Sequence, residues 1–292
     1  MDKEQIYVQR IREIYPDLSI ETISLNQQGQ YNDVIIINNA LVFRFAKYPA
    51  AIKTLQQETV ILRGIQDYIT LNIPNPIYHH LEAQTVGEVF VGYRMIPGKT
   101  LWYEDFQAID NPATIDTMAV QLATFLRELH AIPVEEVISI DLPISDHRDE
   151  WADMYMRIQD KLFFYMRPKV RTQVAHHFET FLDHPDVYTF KSVLRHGDFG
   201  TGNLIFDPDT YTITGVIDFG SAGVGDAAID FAGVLGGFGE SFLERCIKVY
   251  PEIANTLERI RFYCGTFALQ EALFGIENGD IEAFERGIAA YV

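Results

Sequence analysis

Short apolar runs separated by polar turns dominate the first third of the chain. They predict five strands, at residues 20–25, 34–37, 41–46, 77–81 and 86–95. Asn38-Asn39 suits the tight turn of a hairpin, because asparagine tolerates a positive φ. Apolar residues at helical spacing predict helices over residues 3–15, which Pro16 ends, and over residues 50–68. This part is therefore predicted to be a sheet with two helices.

The remaining two thirds are predicted to be mainly helical. Apolar spacing indicates helices over residues 114–130, 149–166 and 169–182. Two short strands, residues 203–206 and 212–217, are joined by a turn with proline at its second position. Pro97-Gly98 breaks the pattern between the two parts. We therefore predict an α+β chain with a β-rich lobe at residues 1–96 and a helical lobe at residues 97–292.

The charge balance limits the classes of partner. The 292 residues carry 41 Asp and Glu against 23 Lys and Arg, a formal charge of −18. Such a chain repels nucleic acid and attracts a cationic small molecule, although acidity also serves solubility alone. No apolar run is long enough to cross a bilayer, and the first residues lack the features of a secretory signal. We expect a cytoplasmic protein, monomeric and without a membrane or nucleic-acid partner.

One motif carries the chemistry. His196-Gly197-Asp198 is followed by Asn203, and Ile217-Asp218-Phe219-Gly220 comes twenty residues after Asp198. Antiparallel pairing of the two short strands brings Asn203 and Asp218 to the same end of the hairpin. Asp198 is the candidate that orients an acceptor hydroxyl and takes its proton, and Asn203 and Asp218 offer oxygen ligands for Mg²⁺. This spacing indicates phosphoryl transfer from a nucleotide.

Further polar residues support this site. We interpret His196 as a scaffold residue and Asp230 as the residue that ties down the catalytic loop, whereas Asp226 is either a helix cap or functional. In the first lobe, Arg44 or Lys47 is the candidate cation for the phosphates, and Glu58 on the following helix is its candidate partner.

Together these residues resemble the protein-kinase-like antibiotic phosphotransferases, the aminoglycoside phosphotransferase family with the related macrolide kinases. The resemblance covers the whole chain and is carried by His196-Gly197-Asp198 with Asn203, Ile217-Asp218-Phe219-Gly220, the strand and helix of Arg44 and Glu58, and residues 125–133. It implies a bilobal kinase-like fold, Mg²⁺, and ATP or GTP. It further implies a catalytic Asp198, metal ligands Asn203 and Asp218, a loop with Gly29 and Asn32 over the phosphates, and nucleotide contacts at the backbone of Arg94 and Ile96.

The acceptor is the open part of this interpretation. The chain is most similar to the 2″-type aminoglycoside kinases, which gather acidic side chains around a cationic drug. Here the corresponding acidic cluster is reduced to residues 236–240, so Asp226, Glu240 and Glu271 are the candidate substrate contacts. An aminoglycoside kinase that confers resistance is the leading hypothesis. A macrolide or other small-alcohol kinase, and a non-catalytic nucleotide-binding module, are the alternatives.

Overall fold

The computed structural model describes residues 2–27, 29–142 and 144–292. Gln28, in the loop predicted to cover a nucleotide, lies outside the described residues. The chain forms two compact units, each described below by itself. The first comprises Met1–Gln121, Ala131–Asp141 and Gly202–Ala222, and the second Leu122–His130, Leu142–Thr201 and Gly223–Val292. The boundary between lobes at residue 97 stays a prediction.

The first unit is built on a five-stranded antiparallel sheet in the order β1-β2-β3-β5-β4. Its strands are β1 (Ile23–Asn26), β2 (Asn32–Ile37), β3 (Leu41–Ala46), β4 (Tyr78–His80) and β5 (Phe90–Arg94). Helices α1 (Lys3–Ile14) and α2 (Pro49–Ile65) accompany the sheet, and a 3₁₀ turn at Gln66–Tyr68 extends α2. A smaller sheet contains β6 (Lys99–Thr100), β8 (Leu204–Phe206) and β9 (Ile213–Val216) in the order β6-β8-β9.

The alternation of strand residues divides the core of the large sheet between its two helices. Ile35, Ile37, Phe43, Phe45 and Phe90 form one apolar cluster with Tyr7, Val8 and Ile11 of α1. Val89, Val91, Tyr93 and Ala46 form a second cluster with Ala51, Ile52 and Leu55 of α2. Because successive strand side chains point to opposite faces, these two sets explain why the sheet needs a helix on each face.

Most predicted elements are confirmed, and the differences lie at their ends. Residues 41–46 form β3 as predicted, and Asn38 and Asn39 adopt φ of 53° and 49° in the turn before it. The strand predicted from residue 86 begins only at Phe90, because Glu88 donates its N–H to the carbonyl of Thr85 in a turn containing Gly87 at φ 86°. The apolar alternation extends into that turn, so it misplaces the start of the strand.

Helices dominate the chain after the large sheet, as predicted. The helices beyond the large sheet are α3 (Tyr103–Gln107), α4 (Pro112–His130), α5 (Val134–Val137), α6 (Arg148–Lys161), α7 (Pro168–Leu182), α8 (Ala228–Phe238), α9 (Glu240–Val249), α10 (Leu257–Asn278) and α11 (Ile281–Ile288). Two strands, β7 (Val193–Arg195) and β10 (Gly223–Gly225), pair antiparallel. The helix predicted to reach residue 166 ends at Lys161, and a 3₁₀ turn at Phe163–Tyr165 follows.

Aromatic rings fill the core of the second unit. Phe181 of α7 stacks on Phe262 of α10 with ring centroids 3.5 Å apart, and Tyr155 of α6 stacks on Phe178 at 5.0 Å. Such pairs bury large apolar areas and fix the three helices against each other. Among the described helices, none combines the length and the apolar character that a membrane span requires.

Candidate active site

The β8–β9 hairpin places two candidate ligands side by side. Leu204 pairs with Val216, and beyond that pair Ile217 donates its N–H to the carbonyl of Asn203 at 2.9 Å. Asp218 follows in the left-handed region with φ 62° and ψ 71°, and its side chain is half exposed. The predicted meeting of Asn203 and Asp218 at one end of the hairpin is therefore confirmed.

These two side chains fit a magnesium ion. Mg²⁺ takes oxygen ligands, uses one or two carboxylates from the protein and fills its remaining positions with phosphate oxygens and water. An amide and a half-exposed carboxylate at one hairpin end supply that donor set. No group of three or more His, Cys, Asp or Glu that could hold a metal occurs within residues 2–27, 29–142 and 144–292. This donor set suits an ion whose remaining ligands come from phosphate and water.

Arg44 connects this hairpin end to helix α2. Its Nη1 donates to Glu58 Oε1, and its Nη2 donates to Asp218 Oδ1 at 3.1 Å. Glu58 Oε1 also accepts the N–H of Phe219 at 3.1 Å. Arg44 and Glu58 are buried, so the predicted pairing of strand and helix is confirmed. The planar guanidinium suits this double role, since it donates to two acceptors from a fixed fork.

The charges of this triad act on each other. Burial raises the pKa of the Glu58 carboxyl more than the charge of Arg44 lowers it, and the negative Asp218 adds to the rise. Burial alone would lower the pKa of the Arg44 guanidinium, but the two carboxylates raise it above its usual value. Arg44 therefore stays charged next to the phosphate region that the sequence predicts.

Lys47, the other candidate cation, has different contacts. Its Nζ donates to the carbonyls of Gln27 and Gly29 and lies 3.5 Å from Asp33 Oδ1. Asp33 is buried and also accepts from the hydroxyl of Tyr7 at 2.8 Å. Lys47 thus holds the backbone of the loop that contains Gly29. Asn32, at the end of this loop, is buried as the first residue of β2.

The linker after β5 is fixed through its backbone. The N–H of Met95 donates to the carbonyl of Ala40 at 2.8 Å and continues the pairing of β3 with β5. Thr214 of β9 donates its hydroxyl to the carbonyl of Pro97 at 2.6 Å. Arg94 is exposed and Ile96 is at the edge of burial. Their predicted backbone contacts with a nucleotide stay a prediction.

In the second unit, Asp230 holds the start of the catalytic loop. Its Oδ2 accepts the N–H of His196 at 2.9 Å and bonds His130 Nε2 at 3.0 Å, while its Oδ1 accepts the N–H of Gly197 at 2.8 Å. Burial raises the pKa of this carboxyl, but the bond from His130, the charges of the two imidazoles and the backbone donor outweigh it, and the net pKa is lowered. Asp230 thus accepts two backbone N–H groups at the start of the loop.

His196 has the supporting position predicted for it. The side chain is fully buried, and its Nδ1 accepts the N–H of Asp198 at 3.3 Å. Helix α8 packs directly against the loop, because a Cβ on Gly233 would lie 1.9 Å from the carbonyl oxygen of Phe199. The Phe199 ring stacks on Phe125 of α4 at 5.7 Å. The backbone that presents Asp198 is therefore fixed by a carboxylate, an imidazole and a helix.

Asp226 is a buried structural residue. Its side chain accepts from Arg259 Nε at 2.5 Å, from the hydroxyl of Tyr263 at 2.9 Å and from the N–H of Ala228 at 3.1 Å. The contact with Ala228 agrees with the capping role that the sequence allowed. With only 1% of its surface exposed, Asp226 gives no geometric support to a substrate contact.

A second buried carboxylate, Asp146, was not predicted. It accepts from Arg195 Nε at 2.8 Å and from the N–H of Asp226 at 2.9 Å, and it adopts φ 67°. Arg195 directly precedes His196, so this bond fixes the strand that enters the catalytic loop. Burial raises the pKa of the Asp146 carboxyl more than Arg195 lowers it. Only the positive-φ tolerance of aspartate at a turn could have suggested this residue from the sequence.

The two remaining substrate candidates pair with different arginines. Glu240 accepts from Arg261 Nη2 at 2.6 Å, and Glu271 accepts from Arg286 Nε at 2.8 Å. All four side chains are substantially exposed. These contacts are surface ion pairs, and the structure does not join Glu240, Glu271 and Asp226 into one acidic cluster.

A sequence model of the phosphotransferase enzyme family (APH) matches residues 22–263. The viomycin phosphotransferase of Streptomyces vinaceus is 29% identical over 268 residues, which cover 90% of this chain and 91% of that protein.

Two solved structures are also similar over nearly the whole length. The GDP and kanamycin complex of APH(2″)-IIIa has 26% sequence identity and a TM-score of 0.89, and the match covers 97% of this chain and 96% of that chain. The GDP complex of wild-type aminoglycoside 2′-phosphotransferase-IIIa has 26% identity and a TM-score of 0.90, covering 99% of this chain and 97% of that chain. The predicted kinase-like fold is thus confirmed.

Proposed function

The chain belongs to the phosphotransferase enzyme family, and we propose that it transfers the γ-phosphate of ATP or GTP to a hydroxyl of an aminoglycoside, with Mg²⁺. The chemistry of the family is O-phosphotransfer from a nucleotide. The proposal adds the acceptor, the metal and the roles of single residues.

One observation carries the proposal, the bridge from Glu58 through Arg44 to Asp218. It joins helix α2 to the hairpin end where Asn203 and Asp218 lie. A fixed cation beside a metal site is what a nucleotide-dependent phosphotransferase requires to hold phosphates. The similarity to a complex with GDP and kanamycin supports the choice of acceptor, and the charge of −18 favours a cationic one.

Asp198 acts on the acceptor in the proposed reaction. Its carboxylate accepts a hydrogen bond from the substrate hydroxyl and orients the oxygen toward the γ-phosphorus. A bond forms between that oxygen and phosphorus while the bond from phosphorus to the β,γ-bridging oxygen breaks, and the nucleoside diphosphate leaves. The hydroxyl proton passes to Asp198. Asp230 and His196 keep the loop backbone in place during this step.

Asn203 and Asp218 would hold Mg²⁺, which neutralises charge on the phosphates when bound. Arg44 donates to Asp218 Oδ1 and keeps that carboxylate oriented. Lys47 holds the loop backbone at Gly29, which would cover the phosphates. Each of these residues binds or orients, so the first unit contributes position and charge.

Replacement of Asp198 tests the role in catalysis. We expect Asp198→Asn to lower kcat by about 10²- to 10⁴-fold, because the proton acceptor is lost, and to leave the Kd of the nucleotide unchanged. Asp209→Asn, an equal charge change on the exposed hairpin turn, is the matched control and should keep full activity. Activity of Asp198→Asn near that of the control would exclude Asp198 as the base, whereas absence of turnover in the wild type itself would favour a non-catalytic module.

An acceptor panel tests the substrate. Purified protein with ATP or GTP is incubated with kanamycin, gentamicin, viomycin, a macrolide, choline or homoserine, and phosphorylated product is measured by mass spectrometry. We expect product with the two aminoglycosides at rates above those of the other acceptors. Product with viomycin or a macrolide alone would replace the proposed acceptor while keeping the enzyme class.

A further inference from the structure

The sequence has two tryptophans, and they occupy opposite environments. Trp151 is buried and stacks on Tyr263 with ring centroids 4.9 Å apart. Trp102 has 59% of its surface exposed, and the next residue, Tyr103, is 53% exposed. An indole exposed to this extent offers a ligand a large apolar face, and its burial on binding is favourable.

The position of Trp102 connects it to the candidate active site. Its preceding residue, Leu101, donates its N–H to the carbonyl of Leu204 at 2.9 Å, so the chain lies against β8. The indole Cζ3 lies 3.7 Å from where a Cβ on Gly202 would be. Gly202 directly precedes Asn203, the candidate metal ligand. The indole of Trp102 therefore lies near the residue that precedes this candidate ligand.

The backbone of Trp102 is fixed. Its N–H donates to Asp105 Oδ2 at 3.2 Å, and Asp105 Oδ1 accepts from Lys99 Nζ at 2.8 Å. Lys99 in turn lies 5.2 Å from the centroid of the Phe206 ring in β8. The start of α3 is thus attached to the hairpin on both sides of Trp102. An indole on such a rigid backbone loses little entropy when a ligand packs on it.

The surroundings favour a cation. Glu104 follows Tyr103 in the first turn of α3 and is exposed. The electronegative face of the exposed Trp102 indole attracts an ammonium group. Lys99 is paired with Asp105 at 2.8 Å, and the exposed Glu104 carboxylate disfavours the phosphates of a nucleotide. The acceptor therefore fits this surface better than the nucleotide does.

We propose that Trp102 is a substrate-binding residue whose indole packs against an amino-sugar ring of the acceptor. This inference rests on the proposed function, since it takes the acceptor to be a polycationic aminoglycoside. Trp102 contributes binding and orientation and takes no part in proton transfer.

Tryptophan fluorescence tests the contact directly. The emission of the wild-type protein, excited at 295 nm, is recorded during separate titrations with kanamycin, GDP and ADP. We expect a saturable change with kanamycin in the wild type and none in Trp102→Phe, which retains the buried Trp151 as an internal reference. A response to nucleotides but not to kanamycin, or a response retained in Trp102→Phe, would overturn the proposal.

Steady-state kinetics provide the second readout. Trp102→Ala should raise the KM of kanamycin about tenfold and leave the KM of the nucleotide and kcat nearly unchanged, as the loss of one stacking or cation–π contact predicts. Trp102→Phe should recover part of the loss. Phe164→Ala, which removes an aromatic ring that is 84% exposed in the second unit, is the matched control and should behave as the wild type.

Failure of the two proposals can be distinguished. If the panel identifies an acceptor other than an aminoglycoside, the proposed acceptor fails, and the same titration is made with the acceptor that is turned over. A change confined to proteins with Trp102 then supports the binding residue independently of the acceptor class. If kanamycin is phosphorylated but its KM is the same in Trp102→Ala and wild type, Trp102 is not a binding residue and the enzyme assignment stands.

Discussion

Glu58 in the first unit and Asp230 in the second are both buried carboxylates, yet their pKa values shift in opposite directions. The pKa of Glu58 is raised and that of Asp230 is lowered, although 2% and 0% of their surfaces are exposed. Burial acts in the same direction on both, since it always disfavours the charged form of a carboxyl. The partners must therefore account for the difference.

The described partners of Asp230 are hydrogen-bond donors. It accepts two backbone N–H groups, from His196 and Gly197, and bonds His130. Glu58 shares Arg44 with Asp218, whose negative charge repels it. The donors around Asp230 stabilise its charge and fix the loop. Arg44 faces both Glu58 and Asp218, so this group keeps a net negative charge that suits the binding of cations. Equal burial therefore does not imply equal function.

The largest effect is expected from Asp230→Asn. Both carboxylate oxygens of Asp230 accept hydrogen bonds, so the NH2 group of an asparagine would face at least one of these donors. The free energy of unfolding should therefore fall by about 3–5 kcal/mol. Urea denaturation measures this loss. Asp183→Asn, at the exposed end of α7, is the control and should unfold as the wild type does. A loss of less than about 1 kcal/mol would contradict the assignment of Asp230 as the main support of the loop.

The pH dependence of the two positions should have opposite signs. Because the folded-state pKa of Asp230 lies below its ordinary 3.8, its stabilisation is complete above that pH and is lost as the pH falls through the folded value. The stability difference between wild type and Asp230→Asn should therefore shrink in acid. The folded-state pKa of Glu58 lies above its ordinary 4.5. The stability of the wild type relative to Glu58→Gln should therefore rise as the pH falls.

Unfolding curves of these two variants and the wild type, measured from pH 6 down to the lowest pH at which all three fold, separate the contributions. Slopes of the same sign at positions 58 and 230 would refute the comparison.

A smaller loss of stability is expected from Glu58→Gln. Glutamine keeps an acceptor for Arg44 and for the N–H of Phe219, and Asp218 remains as a counter-charge. The free energy of unfolding should fall by about 1 kcal/mol. The kcat/KM for the nucleotide should fall about tenfold, which corresponds to roughly 1.4 kcal/mol, because Arg44 is less firmly oriented. Unchanged nucleotide kinetics would separate the triad from phosphate binding.

The smallest effect is expected at an exposed carboxylate, Glu277. Hydrogen bonds from Arg157 and Lys161 lower its pKa to about 2, although its side chain lies at the surface. Exposed pairs contribute about 0–1 kcal/mol, and salt screens them. Glu277→Gln should therefore change stability by less than about 1 kcal/mol in low salt and by nothing measurable in 1 M NaCl. A larger loss of stability that persists in 1 M NaCl would contradict the small contribution expected from this ion pair.

Local pattern and motif spacing predicted much of the fold and of the candidate site. The alternation of apolar residues located β3, and the pair Asn38-Asn39 located its turn, because both depend on neighbouring residues alone. Strand pairing then brought Asn203 beside Asp218. Each of these predictions needs only local geometry and one hairpin register.

Contacts between distant parts of the sequence could not be predicted in the same way. Asp146 reaches Arg195 across 49 residues, and Asp226 reaches Arg259 across 33. No periodicity marks a charged residue whose partner comes from another element, so Asp146 was missed and Asp226 was taken as a candidate contact for substrate. The exposure of Trp102 could not be predicted either, because its neighbours Leu101 and Tyr103 are also largely apolar and such a run does not show which side chain faces water.

Gly233 bears on how the enzyme can evolve. A single methyl group there would meet the carbonyl oxygen of Phe199 at 1.9 Å, whereas on Gly236, one turn later in α8, it would lie 3.5 Å from Cys264 Sγ. Position 233 is thus closed to any larger residue unless the backbone of the catalytic loop or of α8 shifts, while an added Cβ at position 236 makes ordinary contact. Substitution at position 233 therefore displaces the backbone that presents Asp198.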